Sequence, residues 1–332
     1  MPDSADPAPT ITVVIPMRNE SADIEACLAS VRAFDLHPTH SMEILVLDGE
    51  SSDDSAARVR AVASVDPRVQ LLLNPERIQA AAFNRGLAAA RGRYLVRLDA
   101  HSVYAADYVS ESIRLLEEAG AENVGGVQRS VGSHWISRAI AAAVSSRFAA
   151  GDAKYRHATE PGFTDTVYLG AWRTETLRKL GGMRADWAVN EDYELNVRLR
   201  AAGGRVYLSP TIRSTYFVRG SLGKLARQYA RYGFWKVRTL LEHPGSVRWR
   251  QLVPPAFVVS ILATPLLVDK LGWLGAMHLG LYLSASLVAS TTIATRRGFT
   301  LLPLLPIVFA IIHCAWGSGF LAGMAYWPIK RR

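Results

Sequence analysis

The last quarter of the chain is almost free of charge, and this feature restricts the fold more than any other in the 332-residue sequence. Between residues 251 and 295 the only formal charges are Asp269 and Lys270, and residues 298–329 carry none. Apolar runs of this length are typical of membrane-spanning helices, because a helix satisfies its own backbone polar groups where water is absent. The pattern excludes disordered, collagen-like and disulfide-scaffold chains. It predicts a soluble module of about 250 residues with a membrane anchor.

The net charge of +9 resides in one stretch, residues 205–250. This stretch has ten Lys and Arg residues and a single acid, Glu242, so the rest of the chain sums to zero. A basic stretch beside an apolar span indicates the cytoplasmic face of a membrane with anionic headgroups. Nucleic acid is the competing partner for such charge. Because the stretch abuts the apolar region, we expect membrane lipids and no nucleic acid.

The first part of the chain alternates short apolar runs with helical periodicity. Four runs read as buried strands: residues 11–16, 43–48, 68–74 and 93–99. Continuous apolar strands that alternate with helices predict a largely parallel sheet covered on both faces. Ligands of such sheets bind beyond the carboxyl ends of the strands. Arg18, Glu20, Asp48 and Asp99 stand at those ends.

Asp99 and His101 stand two residues apart after the fourth predicted strand. A carboxylate and an imidazole in this arrangement can both reach one divalent ion or a ribose. The alternative is a helix cap at Asp99 beside a surface histidine. The triplet alone does not decide between these interpretations.

Two further polar pairs lie on predicted helices. Glu191 and Asp192 open a helix, where adjacent carboxylates can serve as a general base with a supporting acid. Acids at that position also complement the helix dipole without any catalytic role. Gln228 and Arg231 share a face of an amphipathic helix over 221–241. Arg231 could hold a diphosphate bidentately or simply face lipid headgroups.

Taken in order, these motifs resemble those of family-two inverting glycosyltransferases, which have the GT-A fold. VIPMRNE ends the first strand and LDGESSDDS the second, and Asn84-Arg85-Gly86, Asp99-Ala100-His101, Glu191-Asp192 and Gln228-x-x-Arg231 follow. DTVYLGAWR, NEDYELNVRLRAAGG and SLGKLARQYARYGFWK are similar to the succinoglycan-type enzymes, which extend sugars on a polyprenyl-diphosphate carrier. The resemblance covers about residues 10–250.

The resemblance implies a role for each matching position. The nucleotide-sugar-binding set comprises Pro16, Arg18, Glu20, Asp48, Asn84 and Asp99. Within this set Asp48 is expected to hydrogen-bond the base, and Asp99 to contact the ribose or the metal. His101 stands where most relatives have a metal-binding Asp.

Catalysis and acceptor binding are assigned in the same way. The resemblance implies Asp192 as the catalytic base with Glu191 beside it. Gln228 and Arg231 match the polar positions of a Gln-x-x-Arg-Trp motif at the diphosphate and acceptor, and Tyr232 replaces its Trp. This replacement speaks against the acceptor platform of a processive synthase, and three spans offer little material for a polymer channel.

The fold implied is α/β: a GT-A fold with a Rossmann-like mixed sheet, as in nucleotide-diphospho-sugar transferases, and a C-terminal helical transmembrane anchor. The implied cofactor is a divalent metal, Mn²⁺ or Mg²⁺. His101 favours Mn²⁺, which tolerates imidazole better than Mg²⁺ does. The implied partners are a nucleotide-sugar donor, expected to be a UDP-hexose, a polyprenyl-diphosphate-linked acceptor and membrane lipids. We expect a multi-pass protein of the inner or plasma membrane with a cytoplasmic catalytic domain.

Four regions are predicted: a disordered leader (1–9), a catalytic domain (10–220), an amphipathic basic interfacial helix region (221–250) and a transmembrane region (251–329). Spans are expected at about 252–268, 273–294 and 302–327, with Asp269 and Lys270 in an outer turn. Three spans place the basic C-terminus outside, against the positive-inside bias. A re-entrant third segment is the alternative.

Two other functions remain open. A polyprenyl-phosphate glycosyltransferase would depend less on Asp192, because its acceptor is already an anion. A non-enzymatic membrane scaffold or transporter subunit would not bind a nucleotide-sugar. Intramembrane charge is almost absent, which leaves no obvious ion or substrate path and argues against a transporter.

Overall fold

The computed structural model describes residues 8–218 and 220–330, without the side chains of residues 265–272 and 274–276. Residues 1–7 of the predicted leader lie outside this part of the chain. The chain divides into two compact units, each described here by itself. The first comprises Met1–Gln128 and Ala158–Tyr216, and the second Arg129–His157 and Phe217–Arg332. Residues 129–157 are thus grouped with the C-terminal helices, whereas the sequence predicts one catalytic domain over 10–220.

The first unit is built on a mixed sheet. Its strands are β1 (Ile11–Met17), β2 (Met42–Asp48), β3 (Val69–Leu73), β4 (Tyr94–Arg97), β5 (Ser102–Tyr104), β6 (Asn123–Val131), β7 (Gly162–Thr164), β8 (Tyr168–Arg173) and β9 (Val206–Phe217). Their order is β3-β2-β1-β4-β8-β6-β9-β5, and β7 pairs with β9. The strands β3, β2, β1 and β4 run parallel, whereas β8 runs antiparallel to both β4 and β6.

The described part of the chain also contains helices in both units. They are α1 (Ile24–Arg32), α2 (Ser55–Ala63), α3 (Gln79–Ala89), α4 (Tyr108–Glu118), α5 (Trp135–Val144), α6 (Arg147–Ala150), α7 (Thr174–Lys179), α8 (Glu191–Ala201), α9 (Leu222–Glu242), α10 (Val253–Arg297) and α11 (Leu305–Lys330). Single-turn helices lie at Lys154–Arg156, Pro244–Ser246, Trp249–Gln251 and Phe299–Leu301.

The mixed α/β sheet confirms the predicted fold class. The four parallel strands are the four apolar runs of the sequence, since strands inside a sheet that is covered on both faces are largely apolar; the edge strand β3 is partly exposed. The long strand β9 was not predicted, because VYLSPTIRSTYF contains a proline and an arginine and no continuous apolar run. Helices α5 and α6 are separated at Ser145 and Ser146.

Helix α3 lies directly on β1. A Cβ added to Gly86 would approach the Cγ1 atom of Val14 to 2.6 Å, so only glycine permits this close packing. Phe83 and Leu87 of α3 are buried beside it. The packing fixes the amino-terminal end of α3, where Gln79 begins the helix, relative to the parallel strands.

In the second unit, the apolar stripe of α9 packs against α11. A Cβ on Gly319 would overlap the Ala230 carbonyl oxygen, and Gly323 packs as closely on Phe234. The Trp327 indole donates a 2.9 Å hydrogen bond to the Phe234 carbonyl. The amphipathic pattern predicts an interfacial helix, yet protein covers this apolar stripe. The pattern shows that a helix buries one face but not what covers that face.

Helix α10 is continuous from Val253 to Arg297, and its backbone is helical through residues 269–270, where the sequence predicts a turn. An Asp-Lys pair interrupts hydropathy but does not break a helix. Among the described residues, two helical stretches are long and apolar enough to cross a membrane: Met277–Arg297 and Leu305–Lys330. The predicted span 252–268 overlaps the residues with undescribed side chains and stays a prediction, as does the number of spans.

Candidate active site

The carboxyl ends of β1 and β2 lie side by side in the first unit. Pro16 pairs in register with Leu47, and Met17 with Asp48. Asp48 is 7% exposed, and its Oδ1 accepts hydrogen bonds from the Ser51 backbone nitrogen at 3.1 Å and the Ser51 hydroxyl at 2.6 Å. This local turn fixes the Asp48 carboxylate at the end of its strand.

The loop after β1 is tied to the loop after β2. The Asn19 backbone N–H donates to Ser51 Oγ at 2.9 Å, and the Glu20 N–H donates to Ser55 Oγ at 2.8 Å. Asn19 adopts φ +55°, which turns the chain sharply between Arg18 and Glu20. The structure therefore brings the predicted donor-site residues of the two strand ends together.

Asp99 follows β4, the neighbour of β1, and is 9% exposed. The Tyr168 hydroxyl donates to its Oδ2 at 3.1 Å. The Tyr104 hydroxyl accepts from the Asp99 N–H at 2.7 Å and donates to the Asp99 carbonyl at 3.0 Å. Burial raises the pKa of both phenols well above the usual value, so both stay protonated. Two buried tyrosines thus hold the backbone and the carboxylate of Asp99.

His101 meets Glu20 of the β1 loop. Its Nδ1 lies 3.3 Å from Glu20 Oε1, and its ring packs edge-on against Tyr216 with centroids 5.1 Å apart. Asp99 and His101 therefore border the same strand ends as Glu20, as the sequence predicts.

The described residues contain no group of three or more His, Cys, Asp or Glu side chains that could hold an ion. Asp99 and His101 nevertheless suit a metal that arrives with its substrate. Mg²⁺ at nucleotide sites commonly takes one or two carboxylates and completes its shell with phosphate oxygens and water. A donor set of a carboxylate and an imidazole suits Mn²⁺ better than Mg²⁺, which prefers oxygen ligands.

Glu191 and Asp192 form the start of α8, after Asn190 at φ +65°. Glu191 is 6% exposed, whereas Asp192 is half-buried and accepts a 2.7 Å hydrogen bond from the Tyr193 N–H. Burial, and next the neighbouring Asp192, raise the pKa of Glu191 to about 7. Glu191 is thus buried at a helix start, where an acid also complements the helix dipole.

A buried arginine joins the carboxylates, and sequence reasoning missed it. Arg97, the last residue of β4, is 5% exposed. Its Nη2 lies 3.5 Å from Asp99 Oδ1 and 3.9 Å from Glu191 Oε1. Although burial alone would lower it, the pKa of Arg97 is raised above the usual value by Asp99 and Glu191, so the guanidinium stays charged. The available signal was a charged residue inside an otherwise apolar run, RYLVRLD.

Asn84 has protein partners of its own. Its Nδ2 donates to the Met183 carbonyl at 2.7 Å, and its Oδ1 accepts from the Met183 N–H at 2.8 Å. A Cβ on Gly182 would collide with the Asn84 amide oxygen. These contacts give Asn84 the role of anchoring the loop before α8. A place beside the nucleotide-sugar stays a prediction.

The predicted acceptor residues belong to α9, in the second unit. Gln228 Nε2 donates to the Tyr232 hydroxyl at 2.8 Å, one turn along the helix. The Tyr232 ring meets Tyr229 edge-on, with centroids 5.7 Å apart. Arg231 is exposed. The three residues predicted to act together therefore share one surface of α9.

Comparison with known proteins assigns the family. Residues 12–168 match the model of Glycosyl transferase family 2. The chain is also 32% identical to the succinoglycan biosynthesis protein ExoA of Rhizobium meliloti, over 93% of each chain. The chain belongs to glycosyl transferase family 2. This family-two member is therefore a glycosyltransferase, as the sequence predicts.

A second relative matches nearly the whole enzyme. A dolichyl N-acetyl-alpha-D-glucosaminyl phosphate 3-beta-D-2,3-diacetamido-2,3-dideoxy-beta-D-glucuronosyltransferase of Methanococcus voltae is 26% identical, over 95% of this chain and 97% of its own. Among solved structures, a mannosyltransferase from Pyrobaculum calidifontis in complex with GDP-Man and Mn²⁺ is similar, with a TM-score of 0.59 and 20% identity. The match covers 96% of this chain and 88% of that one. It confirms the GT-A fold of the family-two enzyme.

Proposed function

We propose that this transferase moves a hexose from a nucleotide-diphospho-sugar, expected to be a UDP-hexose, to a lipid-linked saccharide in cell-surface polysaccharide biosynthesis. The observation that carries the proposal is the arrangement of carboxylates around Arg97. Asp99, at the end of a parallel strand, and Glu191, beside Asp192, both lie within 4 Å of this buried cation. Asp99, on the donor side, and Glu191, beside the candidate general base Asp192, thus contact the same arginine side chain.

The reaction needs a general base for the acceptor hydroxyl and a positively charged group that stabilises the departing diphosphate. In a single displacement the acceptor hydroxyl oxygen forms a bond to C1 of the donor sugar, and the C1–oxygen bond to the diphosphate breaks. Asp192 accepts the hydroxyl proton. Glu191 keeps its own proton more readily because its pKa is raised to about 7. This leaves Asp192 to accept the proton of the acceptor hydroxyl. The configuration at C1 is inverted.

The donor is held by the strand ends. Asp48 is expected to hydrogen-bond the base, Arg18 and Glu20 to line the nucleotide pocket, and Asp99 to contact the ribose. Asp99 and His101 would hold Mn²⁺ or Mg²⁺. When bound, this ion neutralises the charge that develops on the departing diphosphate. Arg231 supplies positive charge on the acceptor side.

The names of the relatives support the choice of acceptor. One relative carries a succinoglycan biosynthesis name, and the name of the other describes transfer to a dolichyl-phosphate-linked sugar. Both match more than nine-tenths of this chain. These names support a polyprenyl-linked saccharide as acceptor, extended by one sugar for each donor consumed; we expect the carrier to be a polyprenyl diphosphate, as the sequence resemblance implies.

Membrane attachment is proposed through α10 and α11. In α10, Leu281, Leu283 and Val288 are each more than 60% exposed. Apolar side chains exposed in this density are costly in water and suit lipid. The basic stretch 205–250 favours a cytoplasmic catalytic unit, where nucleotide-sugars are made.

The test is a panel of radiolabelled nucleotide-sugars incubated with membranes that contain the full chain, followed by mass analysis of the lipid fraction. We expect one donor to label a lipid product that is heavier by one sugar. Membranes with the Asp192→Asn variant at equal expression are the control. A wild type that labels no lipid from any donor would overturn the proposal, and a long released polymer would indicate a processive synthase.

A further inference from the structure

We infer that Gln79 and Arg97 form a bridge that positions Glu191, and through it the adjacent Asp192, relative to Asp99. Gln79 begins α3 and Arg97 ends β4, so the two side chains come from separate elements that both border the site. The inference rests on the proposed function, since it assigns two positioning residues to the same reaction. Neither residue belongs to a motif that the sequence singles out.

Arg97 is the charged half of the bridge. It is 5% exposed and lies between two carboxylates that are themselves 9% and 6% exposed. Replacing a buried ion pair by apolar residues is often neutral or stabilising, so stability alone gives a weak reason for a charge here. A cation between two acids does have a geometric consequence, because it attracts both and so holds near each other two groups that would otherwise repel.

Gln79 is the neutral half, and its amide fits the site in two orientations. In one, Nε2 lies 3.4 Å from Asp99 Oδ1. With the amide turned, its nitrogen lies 3.3 Å from Glu191 Oε1, and its oxygen accepts a hydrogen bond from Arg97 Nη2. The turned orientation satisfies a donor and an acceptor at once. In either orientation the amide contacts an acid of the site.

The exposure of the two residues decides how the bridge can be tested. Arg97 is buried, and its loss would leave Asp99 and Glu191 without their shared cation, so an Arg97 variant can fail to fold. Gln79 is exposed as a residue and only its amide reaches inward. Gln79→Met keeps the length of the side chain and removes its hydrogen bonds. Gln70→Met, at an exposed position of β3, is the matched control.

The first measurement is steady-state transfer with the donor that the panel identifies. For Gln79→Met we expect kcat to fall about five- to twentyfold while the KM for donor changes less than twofold, since the bridge holds Glu191 rather than the nucleotide. Gln70→Met should match wild type. Arg97→Lys, which keeps the charge but loses the forked guanidinium, should lower kcat further. A Gln79→Met enzyme with kcat within twofold of wild type would overturn the inference.

The second measurement does not need transfer activity. In a double-mutant cycle on the thermal midpoint of the purified full chain, Gln79→Met and Glu191→Met should be non-additive, because each removes one partner of the same contact. We expect Gln79→Met to lower Tm by about 2–4 °C in wild type and by less than half as much in the Glu191→Met background. Additive shifts would overturn the bridge even if every donor failed to label lipid. A failed panel with non-additive shifts would instead reject the proposed function alone.

Discussion

The Tyr168 hydroxyl donates a 3.1 Å hydrogen bond to Asp99 Oδ2 across 69 residues of sequence. Tyr168 lies at the start of β8, the antiparallel neighbour of β4, so the bond crosses the switch from the parallel to the antiparallel part of the sheet. The carboxylate expected to meet the donor is therefore oriented by a side chain from the other half of the sheet.

Tyr168→Phe should weaken UDP binding about three- to tenfold, because one hydrogen bond contributes about 0.5–1.5 kcal/mol to the orientation of Asp99. Ser102, whose hydroxyl lies 3.2 Å from the phenol, would lose a partner as well. Calorimetric titration of the full chain with UDP measures the effect. Unchanged affinity would mean that Asp99 keeps its orientation without Tyr168.

Asp192→Asn should lower kcat by a factor of about 10²–10⁴, the usual contribution of a general base, with little change in donor affinity. Asp107→Asn is the control, since Asp107 is an exposed carboxylate that pairs with Arg213 at 2.8 Å. Steady-state transfer with the identified donor separates the two variants. Near-normal turnover of Asp192→Asn would favour an acceptor that is already an anion, such as a polyprenyl phosphate.

Glu191→Gln should change how stability depends on pH. The folded-state pKa of Glu191 is about 7, above the usual 4.5, so the folded chain holds a proton that the unfolded chain releases. Wild-type stability therefore falls as pH rises from about 4.5 to about 7, relative to the Gln variant, and the difference levels off above that range. Denaturant unfolding across this range measures it.

Glu175→Gln is the control for that pH series. Glu175 is exposed and pairs with Lys179 at 2.7 Å, and the hydrogen bond from Lys179 lowers its pKa. The contribution of Glu175 to the pH dependence of stability should therefore have the opposite sign to that of Glu191 and be small. A wild-type minus Glu191→Gln difference that does not vary between about pH 4.5 and 7 would show that Glu191 titrates normally.

A fluorescent reporter fused after the C-terminus tests the membrane arrangement. The continuous helix α10 and two candidate spans favour a two-span anchor, which returns the C-terminus to the cytosol and satisfies the positive-inside bias. We therefore expect a reporter that fluoresces only in the cytosol to be bright. A dark fusion at normal expression would support the three spans predicted from the sequence.

Much of the fold could be predicted because its parallel half consists of largely apolar strands. Asp48 and Asp99 were found at strand ends for the same reason. The antiparallel strand β9 was missed, since its pairing depends on partners far away in sequence and its residues form no continuous apolar run. The continuity of α10 was missed because a charge pair in an apolar run resembles a turn in hydropathy.

The sequence predicted the acidic residues of the site but not the residues that bridge them. Glu191 and Asp192 are adjacent in sequence, so their pattern is visible there. Arg97 and Gln79 were missed because their role depends on contacts with Glu191, which is far away in sequence. Asn84 was identified by its motif, but only the structure shows that both polar atoms of its amide hydrogen-bond the Met183 backbone.

The proposed function requires Asp99 to anchor a nucleoside diphosphate together with a divalent metal. Calorimetric titration of UDP into the purified full chain, with Mn²⁺ and then with EDTA, measures this directly. We predict that wild type binds UDP in Mn²⁺, that EDTA abolishes binding, and that Mg²⁺ restores it no better than Mn²⁺. Asp99→Asn should weaken binding at least about tenfold, as expected for loss of a charge-assisted contact. Equal UDP affinity of wild type and Asp99→Asn, with and without EDTA, would contradict the account.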